Sequence, residues 1–387
     1  MKELNVMLIA GEPSGDLLAA ELVTELQSLA ITQDRALVCF GAGGPRMKEA
    51  GVDLAFDMTV HAVIGLWEVI KRYLTFRRLL NELLELAIAR RPDVIVCVDF
   101  GGFNSRLVAA LRDYQLNYLA HTGWKPKIVQ YVSPQVWASR PGRADAIARD
   151  YDQLLCVLPF EKQWWNERQP DFPVEFVGHP IVGRHRIMPA KQKSKASEPL
   201  IALMPGSRAG ELRKHLPVLI EAAQQIAKTT PARFRLLLPN KDLSESVQRA
   251  AGEIPNCSVQ IGDSAKLLRE ADFALTKTGT ITLECALYGL PAVTFYKTSP
   301  FTYEIGKRVV NVPYLTMPNL LAGDAVYPEF VQGDATSENL ARAAIELLGD
   351  VARQNQVREQ LGEIVVALGD AAAPRRAAEC VFNLSVA

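Results

Sequence analysis

Asp99 closes the apolar run Val94-Ile95-Val96-Cys97-Val98, and Gly101-Gly102 follow it. A carboxylate carried to the end of a strand, with small residues opening the space beyond, suits a general base if it reaches its proton donor. The structural alternative is that Asp99 caps a helix beginning near Asn104. A second set of chemistry-bearing residues lies in the other half of the chain. Within Leu203–Glu211, a Gly206-Ser207 turn opens a helix beside Arg208, a combination suited to a diphosphate. Glu211, in the first turn of that helix, also favours the helix dipole with no ligand at all. Thr278-Gly279-Thr280 is a further turn before a helix, whose exposed N–H groups can hold phosphate. Glu284 stands about one helical turn on, where a carboxylate can accept from both hydroxyls of a ribose. Turn plus carboxylate is the most nucleotide-specific signal in the chain. Its bland counterpart is a capped amphipathic helix.

Other stretches are less specific. Gly11-Glu12-Pro13-Ser14-Gly15-Asp16 follows the first apolar run; its glycines allow close approach to a ligand, and Ser14 is placed to cap the next helix. Phe40–Met47 contains a GxG pair, but Arg46 stands where a dinucleotide fingerprint has its third glycine, so it is not read as one. Ser133-Pro134 ends a strand, and Trp137, Arg140, Arg143 and Arg149 follow. An aromatic with arginines in a loop suits a sugar or phosphate; a solvated basic helix explains them equally well. Asp150-Tyr151-Asp152 spells a metal-binding DxD pattern, but at a helix-to-strand passage, and is read as chance. His61, His121, His179, His185 and His215 show no metal-ligand spacing, so no metal is expected. No GxSxG elbow occurs, which argues against an α/β-hydrolase.

The elements that must position these residues alternate. Strand candidates are Val6–Ala10, Leu37–Phe40, Val94–Val98, Ile128–Val132, Leu154–Val157 and Val174–Val177, then Leu200–Met204, Phe234–Leu238, Val259–Ile261, Phe273–Leu275 and Ala292–Phe295. Helix-period segments separate most of them, and this βαβα rhythm means α/β lobes with mostly parallel sheets. The polar stretch 189–199 suits a linker. The expected organisation is an N-terminal lobe over 1–185, a linker over 186–199, a second lobe over 200–370, and a C-terminal helix in 371–387 free to pack back on the first lobe. With 387 residues, two domains are the natural count. Lys plus Arg and Asp plus Glu are 43 each, so no net field draws nucleic acid, and any anionic partner must meet a local patch. No secretory signal pattern or membrane-spanning apolar run is seen. The six cysteines mostly sit in apolar runs without a CxxC pair and are read as free thiols of a reducing cytoplasm. Over Ile64–Leu84, apolar residues including Leu66, Trp67 and Ile70 share one face at about 100° per residue, with basic residues largely opposite. That face suits a membrane surface, or packing on a sheet.

Taken in order, GEPSGD, FGAGGPRM, VDFGGFN, YVSPQVWA, FVGHP, PGSRAGE, TGTITLE, SPFTYEIGKRVV and PNLLAG make the chain resemble the lipid-A-disaccharide synthases, from about residue 5 to about residue 380. The resemblance implies the GT-B fold, with two Rossmann-like lobes facing a central cleft. It implies transfer of 2,3-diacylglucosamine from UDP to 2,3-diacylglucosamine 1-phosphate (lipid X), with no cofactor, at the cytoplasmic face of the inner membrane; it leaves an oligomer open. Asp99 takes the place of the proposed base. Arg208, with Ser207, looks like the diphosphate contact, and Thr278, Gly279, Thr280 and Glu284 the rest of the UDP-sugar site. Asn319 and Gln332 would line the cleft, and Gly11, Glu12, Ser14, Gly15 and Asp16 the acceptor side. The sequence departs from the family pattern at Phe100-Gly101-Gly102-Phe103-Asn104, commonly Ala-Pro-Asp-Phe-Asn, at Lys277-Thr278, usually Ala-Ser, and at Ile64-Gly65, usually Met-Gly. Rival readings are a transferase with another lipid acceptor, a UDP-sugar epimerase, and a non-catalytic sugar-nucleotide sensor.

Overall fold

Val94–Val98 is buried at every position, as a strand covered on both faces must be. It is β4 of a seven-stranded sheet with β1 (Leu4–Ala10), β2 (Leu37–Gly43), β3 (Asp53–Asp57), β5 (Lys127–Tyr131), β6 (Gln153–Cys156) and β7 (Val174–Phe176). The order is β3-β2-β1-β4-β5-β6-β7, and every pairing is parallel. Val6, Leu8, Val94, Val96 and Val98 are completely buried, and each contributes about 1.5–3 kcal/mol relative to an exposed position. The computed structural model describes residues 3–61, 73–118, 123–185, 198–238 and 244–385. It divides into two compact units, Met1–Gly183 with Leu368–Ala387, and Arg184–Ala367.

The second unit has its own parallel sheet, of β8 (Leu200–Met204), β9 (Arg233–Leu238), β10 (Cys257–Ile261), β11 (Phe273–Lys277), β12 (Ala292–Tyr296) and β13 (Glu329–Val331). Its order is β10-β9-β8-β11-β12-β13. Each sheet reverses its direction of growth once, between β1 and β4 in the first unit and between β8 and β11 in the second. Loops leaving the carboxyl ends of strands at such a point diverge and open a crevice. Asp99, Arg208 and the Gly279 turn all follow strands that flank these two points.

The chain ends in the first unit. Helix Ala373–Leu384 packs on helix Pro13–Thr32 through buried Ala377, Ala378 and Val381. Arg376 Nε donates to Val177 O at 2.8 Å, and the Arg35 guanidinium lies 5.5 Å from the Phe382 ring centre.

Several elements differ from the sequence reading. β3 and β13 were not anticipated: β3 alternates between exposed and half-buried positions, and β13 has three residues, so neither shows an apolar run. β2 continues through Gly43, which makes the glycines after Phe40 part of a strand. Leu66, Trp67 and Ile70 lie outside the described residues. From Tyr73 to Arg90 the chain is helical, with Leu79 and Leu83 buried, Phe76, Leu80 and Leu84 packed on the core, and Leu74 exposed. No helix among the described residues is long and apolar enough to cross a membrane. All six cysteines are free thiols, and burial pushes Cys39 and Cys97 up to about 12, away from thiolate chemistry.

Candidate active site

In the first unit, β4 delivers Asp99 into an unusual turn. Asp99 and Phe100 have φ of +49° and +47°, a left-handed conformation that costs a non-glycine residue roughly 1–2 kcal/mol. Neighbouring groups hold it. The Asp99 N–H donates to Tyr131 O at 2.8 Å, and the Asp99 carbonyl accepts from Asn104 Nδ2 at 2.8 Å and Gln130 Nε2 at 3.1 Å. A Cβ on Gly11 would lie 2.2 Å from the Phe100 ring, so only glycine lets the end of β1 pass this turn. The following helix starts at Gly101, not near Asn104, and the Phe103 and Asn104 N–H groups donate to the Phe100 carbonyl. The Asp99 carboxyl is therefore not needed as a cap for these groups and lines a cavity of about 570 Å³. Burial raises its pKa above the usual 3.8, while the Phe100 N–H pulls it back down. A carboxylate with a raised pKa is a stronger proton acceptor, as a general base requires.

The second unit has a cavity of about 410 Å³ at its own switch point, lined by Gly206, Ser207, Arg208, Lys277, Thr280 and Glu284 among others. Arg208 is the N-cap residue of helix Ala209–Thr229 and is largely exposed. Glu211 sits between two cations, 3.7 Å from Arg208 and 3.3 Å from Lys277. Gly279 has φ +132° and opens helix Thr280–Leu287, a conformation only glycine adopts freely. One turn further on, Glu284 accepts from Ser264 Oγ at 2.8 Å and stays half-buried at the cavity wall. Cationic side chains, a helix start and a carboxylate one turn along thus face one cavity. Fully buried His215 braces this wall. Its Nδ1 donates to Pro205 O at 2.7 Å and its Nε2 accepts from the Lys297 N–H at 3.0 Å. Burial lowers its pKa, while the bonds to the Pro205 and Lys297 backbone pull it back up.

Not every residue expected at a site is available to a ligand. Pro13–Thr32 is helical, so Ser14 lies inside the helix rather than at its cap, with Glu12 in the N-cap place. Asp16 is 2% exposed, and its carboxylate accepts from the N–H groups of Gly44, Arg46 and Met47 at 2.8, 3.0 and 3.0 Å. It shapes the fold instead of facing an acceptor. Gly15 is likewise buried, whereas Ser14 is exposed. Thr278 is buried, with its N–H donating to Phe295 O. Asn319 is completely buried, and its amide is used up on both Tyr327 backbone groups and on Glu329. Gln332 spends its amide on the Thr298 N–H and carbonyl. None of these three is among the residues that line the two cavities. Trp137 turns from the arginines that follow it, donating to buried Glu161 at 2.9 Å; burial pushes Glu161 up to about 7. The DxD carboxylates are engaged as well, Asp150 by Arg149 and Asp152 by Arg112. Lys277, Ser264 and His215 carried no local sequence signal, since only the pairing of β8 with β11 and the loops beyond them brings these residues to the Ser207–Arg208 turn.

Comparison with known proteins fits this geometry. A family described as lipid-A-disaccharide synthetase matches residues 6–381. The lipid-A-disaccharide synthase of Geobacter sulfurreducens is 34% identical over 391 residues, covering 98% of this chain and 97% of that one. That of Azotobacter vinelandii is 35% identical over 398 residues, covering 99% and 98%. Among solved structures, the calicheamicin glycosyltransferase aligns with TM-score 0.61 and 16% identity over 99% of this chain and 98% of that one. A UDP-GlcNAc 2-epimerase from Neisseria meningitidis aligns with TM-score 0.56 and 12% identity over 99% and 100%. At such identities these likenesses show the fold alone, the two Rossmann-like domains of GT-B proteins, which transferases and epimerases share. The sequence family separates the two, and the epimerase reading is not favoured. Matched along nearly its whole length, the chain belongs to the lipid-A-disaccharide synthases and is a glycosyltransferase.

Proposed function

We propose that the chain transfers 2,3-diacylglucosamine from its UDP derivative to the 6-hydroxyl of 2,3-diacylglucosamine 1-phosphate, giving the lipid A disaccharide 1-phosphate and UDP. The observation that carries this reading is a cavity in each unit, one beyond β4 and β5 that is lined by the half-buried Asp99 carboxyl, the other at the switch point of the second sheet with the groups that suit a nucleoside diphosphate. Asp99 takes the proton of the acceptor hydroxyl as that oxygen attacks the anomeric carbon. The bond from that carbon to the β-phosphate oxygen breaks with inversion. Arg208, Lys277 and the N–H groups at Gly279-Thr280 meet the charge that develops on the departing diphosphate. Glu284 holds the ribose hydroxyls, and Ser264 fixes its orientation. We also propose that the protein meets its acylated substrates at the cytoplasmic face of the inner membrane through the segment containing Leu66, Trp67 and Ile70.

The test is Asp99→Asn, assayed for disaccharide and UDP formation. The variant is expected to fold, bind UDP as before, and lose transfer by roughly 10²–10⁴-fold, the usual contribution of a general base. Retention of more than about a tenth of the wild-type rate, well outside that range, would place the base elsewhere.

A further inference from the structure

The cavity beside Asp99 carries more positive charge than proton abstraction needs. Arg106, from helix Gly101–Tyr118, and Arg140 and Arg143, from the loop after β5, all line it. None of the three takes part in an ion pair among the described residues; the ion pairs of this region go to Arg112 and Arg149 instead. Arg149 fits the ordinary explanation of a solvated basic helix, being well exposed and bound to its neighbour Asp150. The other three are exposed as well, but they come from two elements, line one cavity and have no carboxylate partner among the described residues. Arg140 stands in the left-handed region, φ +63°, where the chain turns into Pro141–Arg143. Nearby Asp150 is neutralised by Arg149, so the only other carboxylate on this wall is Asp99.

We propose that Arg106, Arg140 and Arg143 form a subsite for a phosphomonoester on the acceptor sugar; this rests on the transfer reaction proposed above. Guanidinium groups present paired N–H donors that match phosphate oxygens. In a glucosamine 1-phosphate ring, the phosphate at C1 and the hydroxymethyl at C5 lie on either side of the ring oxygen. Anchoring the phosphate on the arginines therefore leaves the 6-hydroxyl at the other side of the ring oxygen, free to meet Asp99 in the same cavity. The subsite would supply orientation, which raises the effective concentration of the attacking hydroxyl. It also gives discrimination, since a sugar lacking the phosphate would leave the arginines unneutralised.

The test needs no turnover. The full chain is titrated calorimetrically with glucosamine 1-phosphate, with glucosamine and with inorganic phosphate. Glucosamine 1-phosphate is expected to bind at least about tenfold more tightly than glucosamine, the low end for a charge-assisted contact. Arg106→Ala and Arg140→Gly are expected each to remove most of that difference and to leave glucosamine and UDP binding unchanged. Glycine is chosen at Arg140 because it suits the left-handed backbone, so the variant tests the guanidinium and not the fold. Equal binding of the two sugars, or undiminished binding of glucosamine 1-phosphate by both variants, overturns the subsite. Inorganic phosphate binding as tightly as the sugar phosphate, with the same arginine dependence, overturns the assignment to an acceptor sugar. The two proposals fail separately. Arginine-dependent binding without any transfer from UDP-diacylglucosamine leaves the subsite and removes the reaction. Transfer with an unchanged KM for the phosphorylated acceptor in both variants leaves the reaction and removes the subsite.

Discussion

Asp16→Ala is expected to destabilise the first unit by about 3–6 kcal/mol, the cost of orphaning three backbone donors at roughly 1–2 kcal/mol each. The three are the N–H groups of Gly44, Arg46 and Met47, and the bonds at Gly44 and Met47 are buried. Water cannot readily replace the carboxylate there, because Asp16 itself is 2% exposed. At about 2–4 °C per kcal/mol for a unit of this size, melting should fall by roughly 6–24 °C. Asp16→Asn should cost about a third as much by the same arithmetic, since one oxygen still serves Gly44 and Met47 while the amide nitrogen faces the Arg46 N–H. The assay is selective: all 5 tryptophans fall at sequence positions within the first unit, so their emission reports its unfolding and not that of the second. UDP affinity, a property of the second unit in this account, should stay unchanged in both variants below the melting range. An Asp16→Ala protein that melts within about 2 °C of wild type, equivalent to 1 kcal/mol or less, yet loses transfer, would refute the reasoning. Asp16 would then be a ligand contact.

Arg208→Ala and Glu284→Ala should each weaken UDP binding, the former by about 1.5–3 kcal/mol as a charge-assisted contact; calorimetry that finds both affinities unchanged would take the nucleotide away from this cavity. Exchanging Leu66, Trp67 and Ile70 together for Ser should reduce binding to anionic liposomes and leave the circular-dichroism melting temperature nearly unchanged. A large fall in melting, with liposome binding by the surviving folded protein intact, would instead make those residues core.

The strand ends were legible because parallel strands buried on both faces leave continuous apolar runs, and the residue after such a run must stand at a carboxyl end. Asp99 after Val98 follows that rule, as does Pro205 after Met204, which leads into the Gly206-Ser207 turn. The helix start after Asp99 was misplaced toward Asn104, because Gly101-Gly102 is a poor local helix former. Only the left-handed Phe100, packed 5.5 Å from the Phe103 ring, begins the helix earlier. Asp16 looked like a loop ligand because its partners at Gly44 to Met47 lie some 30 positions away, across the β1–β2 pairing. Asn319 looked like a cleft residue for a similar reason. Its partner Glu329 stands on a three-residue edge strand with no apolar pattern to announce it. Arg106 carried no signal, because a single exposed arginine on a helix says nothing about a cavity until the loop carrying Arg140 and Arg143 is folded opposite it.

The turn at Asp99 also indicates how the base is kept in place. Two successive non-glycine residues at positive φ cost roughly 1–2 kcal/mol each, and the turn persists because Asn104 and Gln130 both donate to the Asp99 carbonyl. Asn104 is completely buried, and its Oδ1 faces no donor. Asn104→Ala therefore removes one useful bond together with one unsatisfied oxygen, and the net loss of stability should be about 1 kcal/mol or less. Its effect on rate should be larger. With one tether gone the Asp99 peptide can relax toward ordinary backbone angles, and a displacement near 1 Å at a reacting group costs about 10²-fold. The pH profile separates this from mere loosening. Burial holds the Asp99 pKa above its usual value, and the acid form is inactive as a base, so the rate rises with pH through that raised pKa. A carboxyl that swings toward water loses the desolvation, so its pKa falls and the acidic limb of kcat/KM moves to lower pH. The expected result for Asn104→Ala is a loss in kcat of tens to about 100-fold, unchanged UDP affinity, and an acidic limb shifted downward. A kcat close to wild type with an unmoved limb would show that Gln130 and the Tyr131 carbonyl suffice to hold the turn, and that Asn104 has no part in positioning the base.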